Sequence, residues 1–221
     1  MATYLITGAN RGIGLEYCRQ LQQRGDTVIA VCRQPSNELK DLGVQVETGI
    51  DITQDDSVAE LAQRLQGTTI DVLINNAGIL ERVTLDDLDF DSIRQQFEVN
   101  ALGPLRLTAA LLPHLSAGSK VVLMTSRMGS IADNTSGGSY GYRMSKVALS
   151  MAGKSLAHDL QPRQIAVAIL HPGLVQTRMT GFTDSGITPA EAVAGLLARI
   201  DGLTLETSGT FWHSNGEVLP W

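Results

Sequence analysis

The sequence contains few cysteines and few aromatic residues. Of its 221 residues only two, Cys18 and Cys32, are cysteine, and 5% are aromatic. Cys18 falls in a helical pattern and Cys32 ends an apolar run, so we interpret both as reduced thiols of the core. No spacing of Cys and His is typical of a metal site. The sequence therefore predicts neither a disulfide framework nor a bound metal.

Membrane spans, export signals and an excess of basic residues are also missing. No stretch of about 18 or more consecutive apolar residues is present, so we expect no membrane span. Residues 1–3 run directly into a strand pattern, without the charged segment and apolar core of a signal peptide. The net charge of -6 disfavours a nucleic-acid surface, which needs clustered Lys and Arg. We therefore expect a cytoplasmic protein whose partners include neither nucleic acid nor membrane.

What the chain does contain is a regular alternation of short apolar runs and helical patterns. Its length and its hydrophobic fraction of 43% suit one α/β domain with a large core. Strands are predicted at 5–7, 27–32, 44–48, 71–74, 120–125, 165–170 and 210–213. Helices are predicted at 13–24, 55–65, 91–115, 141–160 and 189–200, the third being bent near Gly103 and Pro104. Such alternation is typical of a parallel sheet covered on both faces, and we predict a single domain over 1–221.

A glycine-rich turn, TGANRGIG, joins the first predicted strand to the first predicted helix. Glycine lets the backbone turn tightly and lets a pyrophosphate approach without a Cβ in the way. The following helix N-terminus offers free N–H groups and a partial positive charge to phosphates. The alternative is an ordinary glycine turn. We predict that a dinucleotide binds here, at Gly8, Asn10, Arg11, Gly12, Ile13 and Gly14.

The residue after the second predicted strand bears on which dinucleotide binds. A site that prefers NAD places Asp or Glu there, to accept a hydrogen bond from the ribose 2′-OH. Here the strand ends at Cys32 and Arg33 follows. Arg33 and Arg11 favour NADP(H), because guanidinium groups match a 2′-phosphate in bidentate fashion. NAD(H) is the alternative cofactor.

The turn after the third predicted strand is a candidate for the adenine end of the cofactor. Asp51 can accept a hydrogen bond from the adenine amino group, with Ile52 beside it. The alternative is that Asp51 only caps the turn at Ile52 and Thr53.

Tyr142 and Lys146 lie four residues apart on a predicted helix, in the run YRMSK. Four residues is about one turn, so the two side chains share a face. A phenol has a pKa near 10 and is a poor base at neutral pH. An ammonium about 4 Å away, at an effective dielectric constant of about 20, supplies roughly the 4 kcal/mol that lowers this pKa to about 7. We predict an acid/base pair, the alternative being an exposed helix turn.

Other polar residues follow predicted strands, at the edge where open α/β sheets bind ligands. Ser126 follows the fifth strand, where a hydroxyl can hydrogen-bond a substrate oxygen as charge develops on it. Asn75, Ala77 and Gly78 follow the fourth strand in the run NNAG, and are predicted to brace the sheet and approach the adenosine ribose. Asn100 lies inside the long predicted helix, although Asn is a mediocre helix former. We interpret it as a kink that holds a water for proton relay, or else as a satisfied core Asn.

Together these motifs resemble the short-chain dehydrogenase/reductase family. The resemblance rests on TGANRGIG, NNAG, Asn100, Ser126, YRMSK and HPGLVQT, in that order over most of the chain. It implies a Rossmann-type, doubly wound α/β/α fold with a parallel sheet of about seven strands. It implies Tyr142 as general acid/base, and Lys146 as the charge that lowers its pKa and as a ligand of the nicotinamide ribose. Ser126 would polarise the carbonyl and Asn100 would complete a proton relay.

The HPGLVQT run adds residues that would hold the nicotinamide end: Pro172, Gly173, Val175 and Thr177. A narrower resemblance, carried by SRMGSI, GSYGYRMSK and 216–221, is to the branch that contains bacterial C-factor and sniffer-type carbonyl reductases. Two features depart from the family pattern. The segment from Ser126 to Tyr142 is longer by a few residues, which leaves Ser130 as a rival for the catalytic serine. The segment after Thr177 lacks the substrate-covering insertion of larger members, so we expect an open site.

The predicted activity is NADP(H)-dependent hydride transfer between nicotinamide and a small-molecule carbonyl or alcohol, with a loose or bulky range of substrates. The alternative is a dinucleotide-binding redox sensor or a C-factor-like signalling protein, although such a protein could dispense with Tyr142 and Lys146. A sugar-nucleotide epimerase of related fold is a third interpretation. Small apolar residues on the 91–115 and 141–160 helices, such as Ala109 and Ala148, fit either a homodimer or homotetramer, or packing on the sheet.

Overall fold

A computed structural model describes residues 1–221 of the chain. Its strands are β1 Thr3–Thr7, β2 Thr27–Cys32, β3 Gln45–Thr48, β4 Val72–Asn75, β5 Lys120–Met124, β6 Ala166–His171 and β7 Phe211–His213. Its helices are α1 Gly12–Gln23, α2 Asn37–Asp41, α3 Asp55–Arg64, α4 Phe90–Phe97, α5 Gly103–Leu111, α6 Tyr140–Leu160 and α7 Pro189–Asp201.

The seven strands form one sheet in the order β3-β2-β1-β4-β5-β6-β7, and all six pairings are parallel. The order reverses between β1 and β4, because the chain first winds outwards to β3 and then returns to the other side of β1. In open α/β sheets such a reversal opens a crevice at the carboxyl ends of the strands. This confirms the predicted doubly wound α/β fold and positions the ends of β1, β4, β5 and β6 around one crevice.

Each face of the sheet is covered by its own apolar core. Successive side chains of β1 point to opposite faces, so Ile6 packs into one core and Leu5 into the other. Helices α1 and α7 cover the first face, and α3, α5 and α6 cover the second. The inner strands are buried on both faces, which is why β2 and β5 read as continuous apolar runs.

The predicted long helix at 91–115 is divided into several segments. α4 leads into a π-helical turn, Glu98–Leu102, and then into α5. In an α-helix the carbonyl of Asn100 would accept from the N–H of residue 104, but that residue is proline and has none. The amide of Gly103 donates instead to the carbonyl of Glu98, five residues back. The irregularity therefore lies one turn before the predicted bend, and it includes Asn100.

None of the helices combines the length and apolar character that a membrane span requires. No group of three or more His, Cys, Asp or Glu side chains is placed to hold a metal ion. Cys18 and Cys32 are both buried and unpaired.

Candidate active site

The glycine-rich turn lies between β1 and α1 and leaves no room for side chains at two positions. Gly8 has a φ of +66°, and a Cβ there would lie 2.9 Å from the Cα of Ala77, after β4. A Cβ on Gly14 would collide with the carbonyl oxygen of Gly8 and lie 2.6 Å from Asn76 Nδ2. Backbone from β1, α1 and the end of β4 therefore meets at van der Waals contact, as the predicted turn requires.

The two asparagines of the NNAG run form hydrogen bonds with different parts of the protein. The side chain of Asn76 donates to the carbonyl of Thr7 at 2.9 Å, and its backbone N–H donates to Thr7 Oγ1 at 3.0 Å. The amide of Ala77 donates to the same hydroxyl. Asn75 is buried, and its side chain donates to Thr108 Oγ1 of α5 at 3.2 Å. The residue that braces the glycine turn is thus Asn76, which the sequence prediction did not single out.

Two unpaired cations lie near the end of β2. Arg11 and Arg33 are exposed, and neither forms an ion pair. The side chain of Asn10 donates to the carbonyl of Gln34 at 3.1 Å, which ties the glycine turn to the loop after β2. This corner of the crevice carries positive charge beside the place where the adenosine ribose is predicted.

Asp51 caps the turn that follows β3. Its Oδ1 accepts hydrogen bonds from the backbone N–H and hydroxyl of Thr53, at 3.0 and 2.8 Å. Burial acts to raise the pKa of Asp51, but these hydrogen bonds and the charge of Arg33 outweigh it and hold the pKa below its usual value. Ile52 is buried against Gly103. The capping role is therefore the one the structure shows.

Asn100 connects three parts of the crevice. Its side chain accepts from the backbone N–H of Ile79 at 2.8 Å and donates to the carbonyl of the same residue at 2.8 Å. It also donates to Ser145 Oγ of α6 at 3.0 Å. Asn100 therefore clamps the chain after Gly78 against the helix that carries Tyr142. Its side chain is fully buried, and both hydrogens of its amide nitrogen are used in these bonds.

A cavity of about 380 Å³ opens at the carboxyl ends of β5 and β6. Ser126, which follows β5, and Tyr142, in the first turn of α6, both line it. Ser130 does not line it; its hydroxyl accepts from the amide of Asp133 at 3.1 Å and so caps a turn. Of the two rival serines, the structure brings Ser126 to the phenol.

The segment after β6 closes the cavity on the cofactor side. Pro172, Gly173, Val175 and Thr177 all line it, and so does Ile13 at the start of α1. A Cβ on Gly12 would lie 3.5 Å from Thr177 Cγ2, so this segment touches the glycine turn. The cavity thus extends from the predicted pyrophosphate site to Tyr142.

Comparison with known proteins identifies a family whose members share these motifs. The family described as short chain dehydrogenase matches residues 2–187. The chain is a short-chain dehydrogenase. Among its relatives, the 1-hydroxy-2-glutathionyl-2-methyl-3-butene dehydrogenase of Rhodococcus sp. (strain AD45) is 46% identical over 226 residues, covering 100% of both chains. The C-signal of Myxococcus xanthus is 48% identical over 155 residues, which cover 69% of this chain and 93% of that protein.

Solved structures similar to this dehydrogenase include two carbonyl reductases. The NADPH-bound carbonyl reductase from chicken fatty liver has a TM-score of 0.91 at 30% identity, covering 100% of this chain and 99% of that one. The carbonyl reductase Sniffer of D. melanogaster has a TM-score of 0.93 at 30% identity, covering 100% of both chains. These similarities agree with the family and the branch that the sequence motifs resemble.

The electrostatics of the dehydrogenase differ from the predicted acid/base pair. Burial raises the pKa of Tyr142 to about 12, while the facing Ser126 hydroxyl acts to lower it. Burial lowers the pKa of Lys146 to about 8. Lys146 Nζ lies 5.6 Å from the centroid of the Tyr142 ring and donates to the carbonyl of Met124 at 2.8 Å. The expectation that Lys146 lowers the phenol pKa to about 7 finds no support in the protein alone, where burial is the main influence on this pKa and Ser126 is the group that lowers it.

Proposed function

We propose that this dehydrogenase interconverts a carbonyl and an alcohol with NADP(H), using Tyr142, Ser126 and Lys146, with Asn100 as the residue that completes the site. The observation that supports this most strongly is the single cavity lined by Ser126 and Tyr142, continuous with the glycine turn through Ile13 and Thr177. The carbonyl reductases of similar structure support the same reaction.

The residues at the crevice suit a nicotinamide dinucleotide. The turn at Gly8 and Gly14 excludes side chains where a pyrophosphate must approach the N-terminus of α1. Asn10, Gly12 and Ile13 line the same approach, with Ala77 and Gly78 opposite for the ribose. Pro172, Gly173, Val175 and Thr177 would hold the nicotinamide end. When bound, the nicotinamide supplies or takes up the hydride.

Preference for NADP(H) over NAD(H) rests on Arg11 and Arg33. Neither guanidinium has a carboxylate partner in the protein, and no Asp or Glu follows β2 to accept from a ribose 2′-OH. Two free cations at this corner favour a 2′-phosphate. Asp51, whose pKa is held below its usual value by hydrogen bonds from Thr53 and by the charge of Arg33, would accept from the adenine amino group with Ile52 beside it.

The pKa of the Tyr142 phenol indicates which group donates the proton to the substrate. With its pKa raised to about 12, Tyr142 is protonated at neutral pH and can donate to a carbonyl oxygen during reduction. Ser126 lies beside it in the cavity and would donate a second hydrogen bond to the same oxygen, stabilising the charge that develops. Lys146 is anchored to Met124 and adjoins Gly78 and Asn100, where it can bind a ribose hydroxyl and deliver a replacement proton.

The substrate class we propose is a bulky carbonyl or alcohol. The cavity has apolar walls at Leu80, Met128 and Leu174, and Met179 and Thr180 of the short segment after Thr177 also line it. The name of the Rhodococcus relative describes an alcohol that carries a glutathionyl group, which is such a substrate.

The experiment that tests the proposal follows reduced-nicotinamide absorbance while the purified protein is mixed with a library of aldehydes, ketones and diones. We expect substrate-dependent oxidation of NADPH, with a higher kcat/KM for NADPH than for NADH. Absence of turnover across the library, in both directions and with both cofactors, would contradict the proposal.

A signalling protein is the second candidate, because the C-signal of Myxococcus xanthus is 48% identical over 155 residues. The two candidates differ in what they require of the cavity. A sensor needs dinucleotide binding alone, whereas an oxidoreductase needs Tyr142 and Ser126 as well. The presence of both, facing one cavity, supports the enzyme.

A further inference from the structure

The segment between Ser126 and Tyr142 is a few residues longer than the family pattern, and the proposed chemistry gives this extra length no role. Its second half, residues 131–139, is an irregular loop that leads into α6. Asp133 and Ser136 of this loop line the same cavity as Tyr142. We call residues 131–139 the wall loop, because they form one side of the cavity in which the substrate is proposed to bind.

The wall loop has few contacts with the body of the protein. Most of its residues are exposed. Near its start, Asp133 forms an ion pair with Arg127 at 3.3 Å. From residue 134 to residue 138, every hydrogen bond that leaves the loop goes to one side chain, that of Arg143. The position of this part of the cavity wall therefore depends on Arg143.

Arg143 lies in the first turn of α6 and binds the wall loop through two of its nitrogens. Its Nε donates to the carbonyls of Gly137 and Gly138, both at 3.1 Å. Its Nη2 donates to Ser136 Oγ at 2.8 Å. The remaining nitrogen, Nη1, donates to the carbonyl of Met128 at 3.4 Å, in the turn that follows β5. The planar guanidinium thus joins the wall loop to the helix that carries Tyr142 and to the turn beside Ser126.

The backbone of the wall loop has a conformation that needs such support. Gly137, Gly138 and Ser139 have φ values of +63°, +64° and +47°, so three consecutive residues are left-handed. Glycine adopts this conformation readily, but for Ser139, which has a Cβ, it is unfavourable. Unfavourable backbone persists only where surrounding contacts over-determine it. Here the carbonyls of the two glycines both point to Arg143 Nε, which is the contact that supports the run.

We propose that Arg143 is a positioning residue for substrate binding, which clamps the wall loop against the turn at Met128 and so maintains the shape of the cavity. It acts through the loop and takes no part in proton transfer. The extra length between Ser126 and Tyr142 is then explained as the material of this wall. The inference rests on the proposed function and adds to it the residue that builds one side of the site.

The test measures KM and kcat separately, with NADPH and the carbonyl compound that the wild-type enzyme reduces best, starting from 4-nitrobenzaldehyde. Arg143→Met removes all of the donors. We expect its KM for the carbonyl to rise by about 10-fold with kcat unchanged, because apparent affinity falls with the fraction of molecules in the binding-competent conformation. Binding of NADPH should not change, since no hydrogen bond joins the wall loop to the glycine turn or to residues 172–177. Arg143→Lys, which keeps a charged donor, should recover part of the affinity.

Gly138→Ala disturbs the same clamp from the loop and leaves α6 untouched. A Cβ at this position meets no atom within 4 Å, but the φ of +64° is strained for alanine. We expect KM to rise in the same direction as in Arg143→Met. Because both changes act on one loop, the double variant should show a smaller rise than the product of the two single effects.

Arg64→Met is the matched control. Arg64 also donates from a helix to a backbone carbonyl, that of Thr48 at 3.0 Å, but it does not line the cavity. We expect this variant to keep the wild-type KM. Thermal melting of each variant checks that it is folded.

A wild-type KM in Arg143→Met overturns the inference and leaves the proposed function intact. So does a fall in kcat at unchanged KM, which would assign Arg143 to general folding or to the placement of Tyr142. Independent, multiplicative effects in the double variant would show that Arg143 does not act through the wall loop, and would also overturn the inference. Absence of wild-type turnover with every carbonyl tested contradicts the proposed function itself, and the inference with it.

Discussion

Lys146 donates a 2.8 Å hydrogen bond from its side-chain nitrogen to the backbone carbonyl of Met124, the last residue of β5. This bond fixes the buried ammonium at the end of a strand, two residues before Ser126. The lysine is almost completely buried and has no carboxylate partner, which is the reason its pKa falls to about 8. The site therefore holds a desolvated charge whose stability depends on pH.

We predict that Lys146→Met changes the pH dependence of folding. In the folded protein burial lowers the lysine pKa from 10.5 to about 8, whereas the unfolded chain keeps the ordinary value. Between these values the unfolded state binds more protons, so the wild-type free energy of unfolding should rise with pH from about 8 to about 10.5. The full penalty, about 3 kcal/mol, applies below pH 8. The variant lacks this rise, which urea denaturation at several pH values would measure.

Lys146→Met also removes the hydrogen bond to Met124. We expect that loss to lower the free energy of unfolding by the same amount at every pH, so it does not alter the pH dependence. We expect the difference in unfolding free energy between the two proteins to move in favour of the wild type as pH increases. If the free energies of unfolding of the wild type and the variant change with pH in parallel over this range, Lys146 is not a desolvated ammonium.

Replacing Ser126 should affect catalysis, and replacing Ser130 should not. Ser126 lines the cavity with Tyr142, whereas the Ser130 hydroxyl caps the turn at Asp133. Loss of a hydroxyl that stabilises developing charge lowers kcat by about 10²- to 10³-fold, and we expect Ser126→Ala to fall in that range. Ser130→Ala is expected to keep wild-type kcat with a small loss in melting temperature. The opposite pattern would assign the catalytic role to Ser130.

Arg33→Asp should reverse the cofactor preference. The change removes a guanidinium that suits a 2′-phosphate and supplies a carboxylate that suits a 2′-OH. A charge-assisted hydrogen bond contributes about 1.5–3 kcal/mol, so kcat/KM for NADPH should fall by roughly 10- to 150-fold, with a gain for NADH. Arg94→Ala is the matched control, since Arg94 lies on α4 with its side chain 75% exposed and paired with Asp91. An unchanged NADPH-to-NADH ratio in Arg33→Asp would reject this site for the 2′-phosphate.

Gly14→Ala should disrupt the dinucleotide site through sterics alone. The added Cβ would meet the backbone oxygen of Gly8, which belongs to the turn itself and cannot rotate away. Overpacking of this kind costs about 1–3 kcal/mol. We expect a lower melting temperature and loss of NADPH binding in a fluorescence titration. Gly202→Ala is the control, because a Cβ there lies 3.4 Å from its nearest neighbour; a Gly14 variant that bound NADPH as tightly as this control would contradict the predicted contact.

The sequence predicted the parts of the fold that short-range physics determines. The glycine turn at TGANRGIG and the Tyr142–Lys146 spacing follow from backbone sterics and helical periodicity, and the structure has both where they were expected. Alternation of strands and helices sufficed for the parallel sheet. Helix α2 was missed because five residues are too few to show a period.

Features that depend on tertiary contacts could not be predicted in the same way. Asn75 and Asn76 are adjacent residues of the same type, so the sequence does not distinguish them. In the structure the side chain of Asn75 bonds to α5, whereas that of Asn76 bonds to Thr7 and braces the glycine turn. The phenol pKa was expected to be lowered because spacing reveals a nearby lysine but not the depth of burial, which dominates. The π-helical turn was anticipated as a kink at Asn100 and a bend near Pro104, but its hydrogen-bond pattern could not be predicted from the sequence.

The central claim is that Tyr142 donates the proton to the substrate oxygen. Tyr142→Phe removes one oxygen atom and keeps the ring, so the most direct measurement is kcat of this variant with NADPH and a substrate of the wild-type enzyme, beside NADPH binding measured by fluorescence. Loss of general acid catalysis should lower kcat by at least about 10²-fold while the dissociation constant for NADPH stays within about twofold. Turnover at the wild-type rate would contradict the claim.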